Sequence, residues 1–157
     1  MRLEYFQMVD RIVDLDLAAH TIATEGTLPE ESPIFEGHFP GYPIMPGVLM
    51  IETIAQAGGW LVMAGLGFAS MAFLAAVKEA KMRSFLAPGQ AIRTEARRVH
   101  DGSGYAIVSG RITTEGRSVA EATITYRIMK FPNDGLRAGL FDVARRVGVP
   151  AELMPDA

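Results

Sequence analysis

The pattern of apolar and polar residues changes abruptly within the stretch from Gly37 to Gln56. Its first half contains three prolines, Pro40, Pro43 and Pro46. Because proline lacks the N–H that a helix interior needs and extends the residue before it, we predict an extended segment over 34–46. The second half consists mostly of Leu, Met, Ala and Ile, which predicts a helix over about 47–64 that begins just after a proline. This helix is apolar on nearly every face, so it must be enclosed by protein or lie in a membrane.

Much of the remaining chain alternates between apolar and polar residues, which is typical of half-buried β-strands. The clearest case is 118–130, where the even-numbered positions from Ala120 to Ile128 are apolar and the odd-numbered ones between them are polar. Further strands are predicted near 7–16, 18–27, 71–78, 81–86, 90–100 and 104–114. Glycine-containing turns at 100–104 and 114–117 join the last three strands into hairpins. No helix crosses between the strands that follow the central helix, so we predict an antiparallel sheet.

The C-terminal residues carry a different pattern. Apolar residues recur at helical spacing at Leu140, Val143, Ala144 and Val147, which predicts a short amphipathic helix over about 136–147. A chain of 157 residues is long enough to build one hydrophobic core. The sequence therefore indicates an α+β fold with a single domain, in which residues 1–131 form the body and residues 132–157 a C-terminal extension.

Three polar residues interrupt the apolar stretch: His38 before the helix, and Glu52 and Gln56 on it. Glu52 and Gln56 are four residues apart and therefore share a helix face. Loss of hydration favours the protonated form of a carboxylate in so apolar a helix, unless a partner compensates. The N–H groups of Gly47 and Val48, at the start of the helix, have no intrahelical acceptor and suit a developing oxyanion. A base, an acid and an oxyanion site in one segment are what proton abstraction beside a carbonyl requires.

The order of residues in this segment resembles a family signature. Residues 37–49 read Gly-His-Phe-Pro-Gly-Tyr-Pro-Ile-Met-Pro-Gly-Val-Leu and are followed by Glu52 and Ala55-Gln56. This order is similar to the signature of the β-hydroxyacyl-acyl-carrier-protein dehydratases of the FabZ type. Weaker matches extend the resemblance over roughly residues 5–130; they lie at Met8–Arg11, Pro88-Gly89 and Glu121–Thr123. The resemblance implies a hot-dog fold, in which a curled antiparallel sheet wraps a long central helix.

The resemblance also implies an activity and roles for the site residues. The activity is dehydration of (3R)-3-hydroxyacyl-acyl carrier protein to trans-2-enoyl-acyl carrier protein, in the synthesis of fatty acids or of the acyl chains of lipid A. His38 is then the base and Glu52 the acid, and the two meet across a homodimer, alone or within a trimer of dimers. Gly47 and Val48 donate to the substrate oxygen, and Gln56 orients Glu52. No cofactor is required, and one His with one Glu is not a metal-ligand set.

Two further sets of residues are predicted to serve the substrate. Met and Phe supply adaptable apolar walls, and the candidate linings of an acyl tunnel are Phe39, Met45, Leu49, Met50, Phe73 and Phe85. The net charge is only −3, but 78–98 carry six basic and two acidic residues, whereas no Lys or Arg lies between Arg11 and Lys78. A local basic patch on an acidic protein favours a specific acidic partner over nucleic acid. We predict that acyl carrier protein docks on Lys81, Arg83 and Arg97; the alternative is a solvated strand face.

Other functions stay open at the level of sequence. A hot-dog thioesterase would use a carboxylate to activate water and would need no base at C2 of the acyl group. A non-catalytic acyl-binding protein would not need both His38 and Glu52. Dehydratases that also isomerise the double bond usually carry Asp at the helix carboxylate, so Glu52 favours the plain dehydratase. The hydratase motif Asp-x-x-x-Asn-x-x-His does not occur.

The central helix has the length of a membrane span, but its polar residues argue against insertion. Glu52 and Gln56 would lie in hydrocarbon, and no basic residue follows the helix before Lys78. The chain has no cysteine, which fits a reducing compartment, and residues 1–6 lack the apolar core of a secretory signal. We therefore expect a cytoplasmic protein without membrane insertion.

Overall fold

The computed structural model describes residues 1–155; residues 156–157 of the predicted C-terminal extension lie outside the described part. Within that part, the strands are β1 (Arg11–Asp16), β2 (Thr21–Thr27), β3 (Met71–Met82), β4 (Ala91–Gly102), β5 (Tyr105–Thr114) and β6 (Arg117–Met129). The α-helices are α1 (Pro33–Gly37), α2 (Gly47–Gly65) and α3 (Asp134–Val147), and short 3-10 helices lie at Leu3–Tyr5 and Ala151–Leu153. The strands form one sheet in the order β1-β2-β4-β5-β6-β3, and every neighbouring pair is antiparallel.

The core lies between α2 and one face of this sheet. The buried residues of α2 include Leu49, Ile54 and Leu61, and the helix contacts strands β2 to β6. By length and a mean hydropathy of 1.4 this helix would suit a membrane span, but 72% of its most apolar window is buried inside the protein. The helix is therefore a core helix wrapped by the sheet, and the predicted α+β architecture is confirmed.

The two adjacent glycines of α2 have different surroundings. A Cβ atom placed on Gly58 would lie 2.5 Å from the hydroxyl of Tyr126 and 2.9 Å from Cγ1 of Val108. A Cβ atom on Gly59 would meet only Cε1 of Tyr126, at an ordinary 3.8 Å. Gly58 therefore allows the helix to approach the sheet closely, which offsets the cost of glycine in a helix.

This contrast predicts opposite effects of two neighbouring substitutions. Gly58→Ala should lower the free energy of unfolding by about 1–3 kcal/mol, because the added methyl group overpacks the interface with Tyr126. Gly59→Ala should raise it by up to about 1 kcal/mol, because alanine is the better helix former and meets no obstacle. Urea unfolding of both variants measures the difference; equal shifts would show that Gly58 is not a contact point.

The structure corrects several of the predicted elements. The first two strands begin at Arg11 and Thr21, later than predicted. The extended segment predicted over 34–46 begins only after α1, a short helix that Ser32 caps by accepting the N–H of Ile34 at 3.2 Å. The strand predicted at 71–78 lies within β3, but the separate strand predicted at 81–86 is wrong, because β3 continues to Met82 as one strand whose pairing with β6 shifts between Lys78 and Lys81. Residues 83–90 form a loop instead.

The C-terminal extension contains the predicted amphipathic helix. α3 is capped at its N-terminus by Asn133, whose side chain accepts the N–H of Leu136 at 2.8 Å, and at its C-terminus by Gly148 in the left-handed conformation. Its buried residue Phe141 packs edge-to-face against Phe68, which follows α2, and against Phe131. The caps stabilise the helix itself, and the aromatic contacts of Phe141 pack it against the body of the fold.

Candidate active site

His38 follows α1 directly and is half-buried. Its Nδ1 lies 3.0 Å from the carbonyl oxygen of Ile44, and the backbone N–H of Ile44 donates to the carbonyl of His38 at 3.0 Å. Because a carbonyl oxygen only accepts, Nδ1 carries the proton, and the lone pair of the neutral ring is at Nε2. The ring also stacks on Phe39, with the ring centroids 4.1 Å apart. His38 is thus oriented in the tautomer that a general base requires.

The N-terminus of α2 lies beside His38. In the described residues, the N–H groups of Gly47 and Val48 have no hydrogen-bond acceptor. A Cβ atom on Gly47 would lie 3.3 Å from the side chain of Met82, so glycine keeps this approach open. Free donors at the positive end of a helix dipole favour an oxygen that gains negative charge.

His38 and Gly47 line one cavity of about 530 Å³. Four of the six residues predicted for the acyl tunnel, Phe39, Met45, Met50 and Phe85, line it too. The other two, Leu49 and Phe73, line neither this cavity nor the one that contains Glu52. Several apolar side chains at this end of the protein are largely exposed: Phe39, Tyr42, Val48, Met82 and Phe85. Apolar surface of this kind marks a place where a ligand or another chain is bound.

Glu52 and Gln56 form the predicted pair on α2. Nε2 of Gln56 donates to Oε1 of Glu52 at 2.8 Å and to the carbonyl oxygen of Phe6 at 2.7 Å, while Oε1 of Gln56 accepts the N–H of Met8 at 3.2 Å. All three bonds agree on which end of the amide is nitrogen, so the orientation of Gln56 is fixed. The N-terminal segment thereby holds Gln56, and Gln56 holds Glu52.

Tyr126 of β6 lies close to this pair. Its hydroxyl donates to the carbonyl oxygen of Ala55 at 2.6 Å. Burial raises the pKa of the Tyr126 phenol well above its ordinary value, and the carboxylate of Glu52, when ionised, raises this pKa further. Tyr126 therefore stays neutral and serves as a fixed wall beside Glu52.

Glu52 lines a second cavity, of about 410 Å³. One wall is a stripe of α2 from Glu52 to Met63 that includes Gln56 and Trp60. The remaining walls come from distant parts of the chain, namely residues 5–9, the start of β3, Tyr126 and α3. Sequence reasoning missed this cavity apart from Glu52 and Gln56. The spacing of Glu52, Gln56, Trp60 and Met63 along one face of α2 was the available signal.

His38 and Glu52 thus belong to different cavities of the same chain. Gly47 and Met50 face the cavity of His38, and Glu52 and Gln56 face the other, because residues two positions apart on a helix point in nearly opposite directions. A single chain therefore presents the predicted base and the predicted acid in separate places.

The three residues predicted for docking are also divided. Arg83 lines the cavity of His38 and is ion-paired with Glu121. Lys81 and Arg97 line a broad depression on the face of the sheet opposite α2. Much of the remaining charge on that face is paired across strands, as in the contact of Arg111 with Glu95 at 2.7 Å. The hydrogen bond from Arg111 lowers the pKa of Glu95 despite its partial burial.

Comparison with known proteins identifies the family. The model of the FabA-like domain matches residues 2–123. The 3-hydroxyacyl-[acyl-carrier-protein] dehydratase FabZ of Syntrophotalea carbinolica is 34% identical over 121 residues, which is 76% of this chain and 82% of the relative. FabZ of Clostridium acetobutylicum is 36% identical over 123 residues, which is 78% of this chain and 86% of the relative. The chain therefore belongs to the FabA-like family, and the resemblance to FabZ-type dehydratases is confirmed.

Solved structures agree on the fold. The dehydratase heterocomplex ApeI:P of Xenorhabdus doucetiae matches with a TM-score of 0.63 and 16% identity, covering 87% of this chain and 90% of that one. A hypothetical thioesterase of Streptococcus pneumoniae, solved with coenzyme A, matches with a TM-score of 0.61 and 16% identity, covering 78% and 88%. At such identities the likeness concerns the fold alone, and it confirms the hot-dog fold.

Proposed function

We propose that this chain is a hydro-lyase that dehydrates (3R)-3-hydroxyacyl groups on acyl carrier protein to trans-2-enoyl groups in fatty acid biosynthesis. One observation carries the proposal: His38 is fixed with a free Nε2 lone pair in the cavity that also contains the free N–H of Gly47. A base and an oxyanion donor in one cavity serve proton removal beside a thioester carbonyl. The FabZ proteins of Syntrophotalea carbinolica and Clostridium acetobutylicum, to which this chain is similar, are named for this reaction.

In the proposed reaction, His38, Gly47 and Glu52 each carry out a different step. Nε2 of His38 takes the proton from C2, and the thioester oxygen gains negative charge, which the N–H of Gly47 stabilises. The electron pair of the C2–H bond forms the double bond between C2 and C3 as the C3–O bond breaks. Glu52 in its protonated form gives its proton to the departing hydroxyl group, which leaves as water. Return of the proton from His38 to Glu52 through solvent restores both groups.

The proposed site takes one residue from each of two chains in a homodimer. Strand β3 supports this arrangement, because it lies at the edge of the sheet and nine of its twelve residues are exposed. Its exposed residues include Leu74, Val77 and Met82. A long apolar edge strand is a template for pairing with another chain. Pairing along β3 would place the Met82 end, next to the His38 cavity, near the Leu74 end of the partner, next to its Glu52 cavity.

Product analysis tests the proposed reaction. The purified protein should convert 3-hydroxyacyl-acyl carrier proteins of graded chain length to species lighter by one water, as read by mass spectrometry of the intact carrier protein. Release of free acid with loss of the thioester would instead show a thioesterase. Unchanged substrate of every length, with binding retained, would show an acyl-binding protein. Either result overturns the proposal.

Docking of the carrier protein on Lys81, Arg83 and Arg97 is a second part of the proposal. Arg83 is placed best for this role, because it lies at the cavity of His38. Arg83→Gln should raise KM for the carrier-protein substrate several-fold, more at low salt than at high salt, because exposed charges are screened beyond about 8 Å at physiological ionic strength.

The control is the exposed Arg117 at the start of β6, whose replacement by Gln should leave KM unchanged. A small pantetheine thioester should be processed equally by the Arg83 variant and the parent protein. Equal losses of Arg83→Gln on both substrates would show that Arg83 shapes the cavity and does not dock the carrier. The cytoplasmic location stays a prediction.

A further inference from the structure

The C-terminal helix supplies a wall of the Glu52 cavity that the proposed chemistry does not use. α3 contributes Leu140, Val143, Arg146 and Val147 to the lining. These residues recur every three or four positions and form one stripe of the helix. α3 also lies beyond residues 2–123, the part of the chain that the family model matches. The wall is therefore a feature of this chain that its family membership does not explain.

We propose that α3 determines the length of the acyl chain that the Glu52 cavity accepts, with Leu140 and Val143 contacting the distal part of that chain. This inference rests on the proposed function, because it takes the acyl group of the substrate as the occupant. It goes beyond that function by assigning substrate selection to a helix outside the catalytic signature.

The cavity has the polarity that an acyl group requires. Glu52 and Gln56 lie at one end of the α2 stripe. Trp60 lies about two turns, and Met63 about three turns, beyond Glu52. At a rise of 1.5 Å per residue the stripe from Glu52 to Met63 is about 16 Å long. Met71, Ala72 and Leu74 at the start of β3 extend the apolar part. An occupant with one polar end beside Glu52 and a long apolar tail fits this gradient.

The position of α3 is firm enough to select chain length. Phe141, Ala144 and Val147 are buried and anchor the helix. Leu140 and Val143 are only partly buried, since they face the cavity. Substitutions at these two positions therefore change the shape of the wall without removing the anchors. Ala138 is exposed on the other side of the same helix and offers a matched control.

Trp60 provides a readout that does not depend on turnover. It is the only tryptophan of the chain and it lines the cavity between Glu52 and α3. The experiment titrates the full-length protein with unreactive amide analogues of 3-hydroxyacyl pantetheine of increasing chain length and follows tryptophan fluorescence. In the parent protein, affinity should rise with each added methylene until the chain reaches α3, and then stop rising.

Val143→Phe should weaken binding of the longest analogues about 15- to 60-fold, because two to three methylenes are no longer buried, and should leave short analogues unaffected. Val143→Ala should move the limit to longer chains, and Ala138→Phe should leave the series unchanged. If Val143→Phe does not fold, the chain-length limit of Val143→Ala is sufficient to test the inference.

Three results would overturn the inference: a length limit that Val143→Ala does not move, an equal shift in Ala138→Phe, or no binding of any analogue. If the limit depends on Val143 but no hydroxyacyl substrate is dehydrated, the proposed function fails and the role of α3 stands.

Discussion

Replacing His38 by Ala, or Glu52 by Gln, should lower turnover of a 3-hydroxyacyl-acyl carrier protein by a factor of about 100 or more, the usual contribution of a positioned acid or base. His38→Ala removes the Nε2 lone pair that takes the C2 proton. Glu52→Gln keeps the shape of the side chain and an oxygen that accepts the N–H of Gln56, but it cannot supply a proton. Initial rates with a saturating substrate measure the effect on kcat.

Two control substitutions separate chemistry from general damage. His100, which stacks on Tyr105 at the far end of β4, and Glu115, in the turn between β5 and β6, lie outside both cavities. His100→Ala and Glu115→Gln should retain nearly full turnover. Thermal unfolding of all four variants shows whether the fold is kept. Near-normal turnover by a folded His38→Ala or Glu52→Gln protein would remove that residue from the mechanism.

The parts of the fold that the sequence predicted well are those with strong local patterns. The helix from Gly47 needed only its apolar composition and a preceding proline, and β6 needed only its alternation. The pairing of Glu52 with Gln56 followed from their spacing of four residues on a helix. Each of these inferences depended on residues close together in the chain, where period and propensity decide the structure.

The elements that sequence reasoning missed depend on contacts between distant residues. The polar run at Lys78–Lys81 looks like the end of a strand, but pairing with β6 absorbs the irregularity as a shift in register, with Glu79 at a φ of 52°. The basic stretch 78–98 looks like a free patch. Its charge is partly paired with Glu25 of β2, a partner that only the strand register identifies.

In the candidate site, too, local sequence patterns did not predict the contacts between distant residues. The signature residues were found together because they are neighbours in the sequence. The wall that α3 adds to the Glu52 cavity comes from about ninety residues further along the chain, and no local pattern relates the two. The separation of His38 from Glu52 into two cavities was expected only from the resemblance to a dimeric family. Helix geometry explains it, because Met50 and Glu52 point in nearly opposite directions from α2.

Mixing the two inactive variants should restore activity. If each site combines His38 of one chain with Glu52 of another, a mixed dimer has one site with both residues intact and one site that lacks both. Random exchange makes half of the dimers mixed, so about a quarter of all sites become active. Equal amounts of His38→Ala and Glu52→Gln protein should therefore recover about a quarter of parental turnover, at least 25-fold above either variant alone.

The measurement needs proof that the chains exchange. Two affinity tags of different mass allow mixed dimers to be isolated and counted by native mass spectrometry, and turnover should rise in step with their number. Each variant mixed with a differently tagged copy of itself serves as the control and should stay inactive. If mixed dimers form and turnover stays at the level of the single variants, each site lies within one chain. His38 and Glu52 would then have to approach each other by a rearrangement around α2, because they occupy separate cavities in the described chain.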